Sequence, residues 1–151
     1  MAEIVVPSPE RIQADVEHLK DWISKEPHLP SIDDEEFLEN FLYSNKFSLE
    51  KTKCKLDGYY SVRSKYPEVF KNRDPTGADL RELKNHYKHT FAHKTTKDGV
   101  LICYVKYVGD GAGFDPTAYH KKVFMATDMM VLSKDCSLNG YISIIDCKDL
   151  T

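Results

Sequence analysis

The chain has 151 residues, of which 41% are hydrophobic, enough for one compact domain or for a small helical module joined to part of a second domain. Its 21 basic and 24 acidic residues give a net charge of -3, so no global positive field draws it to nucleic acid or to an anionic membrane. No apolar run approaches the roughly 20 residues of a membrane helix, and the opening residues lack the order of a signal peptide. We therefore expect a cytoplasmic protein that binds no nucleic acid.

Residues 9–70 have the pattern of a small helical bundle. Ser8 followed by proline is typical of a helix start, and residues 31–34 resemble a capping box for a second helix. Ser48 can cap a third helix, which Pro67 ends. The apolar residues at helical spacing that should form a shared core are Ile12, Val16, Leu19, Ile23, Phe37, Leu38, Phe41, Leu42, Leu56 and Tyr60.

A turn-rich break at residues 73–77 separates this bundle from a second region. One more helix is predicted there by the spacing of Leu80, Leu83, Tyr87 and Phe91. This helix would lead into the second region, where the character of the sequence changes.

Three histidines, His86, His89 and His93, would share one face of that helix, as metal ligands on a helix must. No acidic or cysteine fourth ligand lies at a matching spacing. Positive charge would also disfavour a cation there, since the same helix carries Lys84, Lys88 and Lys94. We expect a solvated basic helix face and no metal site.

The second region has the pattern of a βαβ unit. Residues 97–99 form a hairpin-type turn before a strand at residues 100–108. Asp115 can then cap a helix that continues to about Lys134, and a second strand follows at residues 141–145. We expect parallel strands and a right-handed crossover. The chain is therefore predicted to be of the α/β class, a helical bundle followed by the first βαβ part of a sheet.

This sheet is expected to be incomplete. A parallel sheet needs several strands with both faces covered, but the sequence supplies two parallel strands and a short hairpin partner before Thr151. Residues 141–145 are largely apolar on both faces. An exposed apolar edge is a template for pairing with another chain, so this edge could form a homodimer.

Four cysteines, Cys54, Cys103, Cys136 and Cys147, are widely and irregularly spaced, with no CxxC pair. Nothing in the sequence favours a secretory context, in which disulfides form. We expect buried free thiols.

Three glycines, Gly109, Gly111 and Gly113, follow a predicted strand, as in loops that bind dinucleotides. Their spacing is GxGxG and not GxGxxG, and Asp110 and Asp115 would repel phosphates. A connecting loop is favoured, even with an acid at the next strand end, and no cofactor is expected.

The sequence does not predict an enzyme. It contains no GxSxG, HExxH or CxxC motif, and no pair of carboxylates whose surroundings set one apart from the other. Asp146, at the predicted C-terminal end of a strand, is one carboxylate without a partner.

A basic surface on the third helix could meet acidic lipid headgroups or a partner, although a solvated helix face also explains it. Its residues would be Lys51, Lys53, Lys55, Arg63 and Lys65.

Several segments, in order, resemble one family. The segment DDEEFLENFLYSNKFSLEKTKCKL at residues 33–56 looks like its N-terminal helical module, and residues 66–75 look like the end of that module. Residues 98–100, 114–116 and 139–146 are similar to its first hairpin, a helix start and its second strand. The family is CRAL-TRIO, in particular the branch of tocopherol-transfer, retinaldehyde-binding and clavesin-like proteins.

Residues 1–8 are expected to be a mobile start. The resemblance implies a helical module at residues 9–75 and an incomplete CRAL-TRIO lipid-binding domain at residues 76–151. It implies a cavity between a sheet floor and surrounding helices, closed by a mobile helical gate. The function it implies is non-catalytic binding and intracellular transfer of a tocopherol, retinoid or phospholipid, with transient contact to membranes that contain phosphoinositides. In the family the chain continues well past the point that matches Asp146.

The resemblance also implies ligand-facing residues on one helix face and one strand face, whose spacing fits a common inward surface. They are Val123, Thr127 and Met130 on the helix, with Tyr141 and Ile145 on the strand. These side chains could equally be ordinary core. The alternative function is that of a truncated form without ligand binding, acting as a protein-interaction or dimerising module.

Overall fold

The computed structural model describes residues 5–133 and 139–150. Within them the elements are, in order, α1 (Pro9–Ser24), α2 (Glu35–Ser44), α3 (Leu49–Lys65), α4 (Pro67–Phe70), α5 (Ala78–Leu83), β1 (Tyr87–Phe91), β2 (Leu101–Gly109), α6 (Pro116–Val131) and β3 (Tyr141–Leu150). This arrangement confirms the α/β class. No helix in these ranges is long and apolar enough to cross a membrane.

Helices α1, α2 and α3 pack around one core, and their predicted apolar stripes face it. Val16, Leu38 and Leu42 are fully buried there, and the loop between α1 and α2 adds Leu29 and Ile32. Burial of each such side chain contributes roughly 1.5–3 kcal/mol. Isolated helices of about this length are only marginally stable in water, so the shared core stabilises all three.

The start of α2 differs from the prediction. Asp34, and not Ser31, is the N-cap, because its carboxylate accepts a hydrogen bond from the Phe37 backbone N–H at 3.0 Å. The chain before it is not helical, and it buries Ile32 in the core. Two glutamates then occupy the first turn of α2, where the positive end of the helix dipole favours acids.

The predicted helix from Leu80 to Phe91 is wrong beyond Leu83, where α5 ends. The following segment is strand β1, which pairs antiparallel with β2 and places Tyr87 opposite Tyr107. Residues four apart lie on one face of a helix and also on one face of a strand, so the spacing alone does not distinguish the two. The aromatic and β-branched content of β1 suits a strand.

The three histidines therefore do not share a helix face, and the expected basic helix face is also wrong. His86 precedes β1, His89 lies within it and His93 lies in the loop after it.

The sheet has the order β1-β2-β3, with β2 parallel to β3. Elements β2, α6 and β3 form the predicted βαβ unit, and the turn at residues 97–99 joins the predicted hairpin. The face toward α6 contributes to a second core, made of Leu80, Leu83, Tyr87, Cys103, Val105 and Ala118.

Strand β3 runs to Leu150, well past its predicted end at Ile145. Asp146 consequently lies inside the strand, where it accepts a hydrogen bond from the Tyr104 hydroxyl at 2.9 Å. A register shift after Lys106 lets β3 keep pairing with β2 beyond this acid. The carboxylate is satisfied by side chains of the neighbouring strand.

Helix α6 packs against the helical bundle as well as the sheet. The rings of Phe70 and Phe124 lie 4.8 Å apart between centroids. At the C-terminal end of α6, the Asn40 amide donates to the Leu132 carbonyl at 3.2 Å. These contacts join α6 to the helical bundle.

A charged cluster adds to this packing. Asp128 of α6 accepts hydrogen bonds from Arg63 of α3 and from Arg73, the latter at 2.8 Å. The Arg63 guanidinium also lies over the Tyr59 ring, 3.1 Å from its centroid. Arg63 is only 19% exposed, so its expected place on a basic surface of α3 is wrong.

The structure describes three of the four cysteines, and of these only Cys103 is buried as expected. Cys54 and Cys147 are exposed, and all three are free thiols. Cys54 lies off the core face of α3, and Cys147 lies on the edge strand β3, where little covers it. Cys136 lies outside the described residues, as does Lys134, the predicted end of α6.

Candidate functional site

A cavity of about 180 Å³ lies between α6 and the sheet. All five residues that were expected to face a ligand line it, namely Val123, Thr127, Met130, Tyr141 and Ile145. The helix residues recur every three or four positions and the strand residues at an even spacing, so one face of each element points to the same space. The structure thus brings the predicted residues together.

The floor of the cavity holds a hydrogen-bonded imidazole. His89 Nε2 lies 2.7 Å from Cys103 Sγ, and the Tyr87 hydroxyl lies 3.3 Å from His89 Nδ1. Burial lowers the pKa of His89, and the nearby charge of Lys122 lowers it further. Burial raises the pKa of Cys103. Both groups are therefore uncharged at neutral pH.

Two tyrosines form a second polar pair in the wall. The hydroxyls of Tyr107 and Tyr119 lie 3.0 Å apart. This hydrogen bond, together with burial, raises the pKa of Tyr107 to about 12. One hydroxyl donates to the other, which leaves the second O–H free to donate elsewhere.

The cavity combines apolar walls with a few neutral polar groups, the usual composition of a small-molecule site. Among the described residues that line it, no side chain carries a charge at neutral pH. It opens beside β3, because Tyr141 and Ile145 are 53% and 58% exposed. Its volume is below the roughly 300–1,000 Å³ of typical ligand pockets, so it suits one end of a larger molecule.

A larger groove of about 380 Å³ lies on the other side of α6, where α3 and α4 meet it. It is mostly apolar and is lined by Val62, Tyr66, Glu68, Val69, Phe70, Pro116, Thr117, His120 and Phe124. Despite its size we favour the cavity as the binding site, because the hydrogen-bonded side chains of His89, Cys103 and Tyr87 line it together and the groove has no comparable set.

Sequence reasoning missed the part of the cavity that β1 supplies. Tyr87 and His89 were assigned to a helix, although the alternation in Tyr-Lys-His-Thr-Phe is typical of a half-buried strand. Cys103 was expected to be buried but was given no role. The register places His89 opposite Val105 and next to Cys103, and the sequence gives no direct signal for that register.

No group of three or more histidine, cysteine or acidic side chains in the described part of the chain is arranged to hold a metal ion. The glycine-rich segment connects β2 to α6, and its three glycines have positive φ, which suits a loop. Helix α6 starts only at Pro116, capped by Asp115, so the loop does not open a helix within the glycines.

Comparisons with known proteins found one family model and two related proteins that match the chain. A family model described as "Pinta-like, UBA domain" matches residues 8–80, slightly less than half of the chain. The chain is 26% identical over 145 residues to two proteins named "Alpha-tocopherol transfer protein-like", from Pongo abelii and Homo sapiens. The alignments cover 95% of this chain but 42% of each relative, so the chain spans about two fifths of the length of these curated relatives. This similarity supports a CRAL-TRIO-like relationship.

Proposed function

We propose that the chain binds one end of a hydrophobic small molecule, without catalysis, in the cavity between α6 and the sheet. The observation that carries this proposal is the convergence of Val123, Thr127, Met130, Tyr141 and Ile145 on one space. The similarity to proteins named for tocopherol transfer supports a hydrophobic ligand. We propose that this ligand is a tocopherol, a retinoid or a phospholipid.

The affinity would come mainly from burial of apolar ligand surface. Each 100 Å² that the cavity covers contributes about 2.5 kcal/mol before the losses of association. Because the cavity opens beside β3, part of the ligand stays in water and the affinity should be modest.

Retinol fluorescence titration tests the proposal, with one variant that fills the cavity and one that does not. Val123→Phe adds bulk inside the cavity and should weaken binding roughly tenfold, about 1.4 kcal/mol. Met129→Phe changes a neighbouring α6 side chain that is 64% exposed, so it should bind like the wild type. Saturable binding that Val123→Phe leaves unchanged would contradict this site.

We further propose transfer of the ligand in the cytoplasm, with transient contact to membranes that contain phosphoinositides. Lys51, Lys55 and Lys65 are exposed on α3, which supports an electrostatic contact without Arg63. Sedimentation with vesicles that contain phosphatidylinositol bisphosphate should be reduced by Lys51→Glu and by salt. Equal sedimentation with purely neutral vesicles would count against the contact.

A second candidate function is self-association through β3. Ile142 and Ile144 lie on the sheet face opposite the cavity and are each 51% exposed, and β3 is an edge strand of the described sheet. Light scattering over a range of concentrations should detect a dimer that Ile144→Lys weakens. A monomer at every concentration would reject this candidate.

A further inference from the structure

We propose that Cys103 and His89 form a covalent capture site for α,β-unsaturated aldehydes with an apolar tail. The proposal rests on the proposed function, because the same cavity must first admit an apolar molecule. Each chain would react with one aldehyde molecule, and the reaction would not be catalytic.

The geometry places a nucleophile and a base at the floor of an apolar space. Cys103 Sγ is 2.7 Å from His89 Nε2, and both side chains line the cavity. Cys103 is only 3% exposed, so a reagent reaches it through the cavity and not from the outer surface. The other described cysteines, Cys54 and Cys147, are exposed and have no such imidazole partner among the hydrogen bonds of the structure.

The hydrogen bond to Tyr87 orients the ring. If Nδ1–H donates to the Tyr87 oxygen, Nε2 is left with a lone pair directed at the thiol. The imidazole is neutral at neutral pH and can take a proton, whereas the buried thiol keeps its own until a reaction removes it. The pair is therefore inert toward polar reagents and is activated only by an electrophile held in place.

The proposed step is a conjugate addition. Cys103 Sγ forms a bond to the β-carbon of the aldehyde as the S–H proton passes to His89 Nε2. The π electrons of the C=C bond move toward the carbonyl, and the imidazolium then returns the proton to the α-carbon. One S–C bond and one C–H bond form, one S–H bond and one C=C π bond break, and nothing is oxidised or released.

The walls select the class of electrophile. Val123, Met130 and Ile145 favour an alkyl tail, and the absence of charge among the described lining residues gives a carboxylate or phosphate no partner. The free O–H of the pair formed by Tyr107 and Tyr119 adds a neutral hydrogen-bond donor to the wall. Saturated lipids lack the reactive carbon and would bind without reaction.

The test compares two reagents on the full chain, with cysteines mapped by peptide mass spectrometry after borohydride reduction. Iodoacetamide, a small water-soluble reagent, should label Cys54 and Cys147 before Cys103, because these are exposed. trans-2-Nonenal should reverse the order and modify Cys103 first. His89→Gln should slow the Cys103 adduct on the order of 10²-fold, the usual contribution of a general base.

The outcomes separate this inference from the proposed function. If the wild type binds retinol but nonenal labels only the exposed cysteines, the capture site is wrong and the cavity remains a binding site. If retinol does not bind and nonenal follows the order of iodoacetamide, both proposals fail. The comparison of the two reagents on the wild type needs no variant to fold, and slow iodoacetamide labelling of Cys103 in His89→Gln shows that this variant keeps its core.

Discussion

Leu42 is fully buried in the core that α1, α2 and α3 share. Replacing it with alanine removes apolar contacts and leaves a cavity, so Leu42→Ala should lower the free energy of unfolding by about 2–5 kcal/mol. Urea denaturation measures this change. Val62→Ala on α3 provides a control, because its side chain is 38% exposed and should cost far less. Equal effects of the two substitutions would contradict the position of the core.

His89 gives the fold a dependence on pH. Its pKa in the folded protein is below its ordinary value of 6.5, because burial and Lys122 disfavour the charged form, and its hydrogen-bond neighbours Tyr87 and Cys103 are neutral. As the pH falls below about 6.5, the unfolded state therefore binds more protons than the folded state, and stability declines. The stabilising contribution is complete above that pH and is lost toward acid.

Denaturation midpoints measured between pH 7.5 and pH 5.5, a range of about two units around the ordinary value, test this dependence. His89→Gln should flatten the decline. His93→Gln changes an exposed histidine in the loop after β1 and should leave it unchanged. A decline of wild-type size in the His89 variant would assign the effect to other groups.

Asp128 connects α6 to the helical region through ion pairs with Arg63 and Arg73. Asp128→Ala would leave Arg63 and Arg73 without their carboxylate, and both side chains are largely covered. Loss of hydrogen bonds to charged groups should cost about 1.5–3 kcal/mol. Asp21→Ala breaks a pair with Lys25 whose side chains are mostly exposed, so it should cost about 0–1 kcal/mol. Similar costs from urea denaturation would show that the cluster adds nothing to the packing.

At the scale of elements, the sequence predicted those with an unambiguous period or a strong cap. Helix α6 follows from Asp115 and Pro116, and β2 follows from its run of β-branched and aromatic residues. Strand β1 was missed because Tyr87 and Phe91, four residues apart, fit a helix as well as a strand. The extension of β3 past Asp146 was missed because a charged residue normally marks the end of an apolar strand, and here Tyr104 and Lys106 stabilise it.

The site residues that could be predicted lie on elements with a clear period. Val123 and Tyr141 could be placed because each lies on an element whose period fixes its face. His89 could not be placed once its strand had been assigned to a helix. The bond between Arg63 and Asp128 joins residues far apart in the chain, and no local pattern in the sequence indicates such a pair.

At the scale of the whole molecule, α6 should make unfolding a single cooperative transition. Trp22, the only tryptophan, packs against the core of the helical bundle, whereas Cys103 is buried in the second core. Trp22 fluorescence and pulsed alkylation of Cys103 in urea should therefore report the same midpoint. In Asp128→Ala the alkylation midpoint should fall below the fluorescence midpoint. Separate midpoints in the wild type would show that the two cores unfold independently.

The contacts of α6 also limit how freely the two parts of the chain can be exchanged. The family model for the helical region stops at residue 80, but the contacts that this region makes extend to Leu132 through the Asn40 amide. A chimera that receives the helical region of another protein would keep its own α6, whose side chains fit a different helical region. The region that the family model matches is therefore not an independent unit of the fold. A replacement helical region would need both Asn40 and Arg63 to hold α6, and with it the cavity wall, in place.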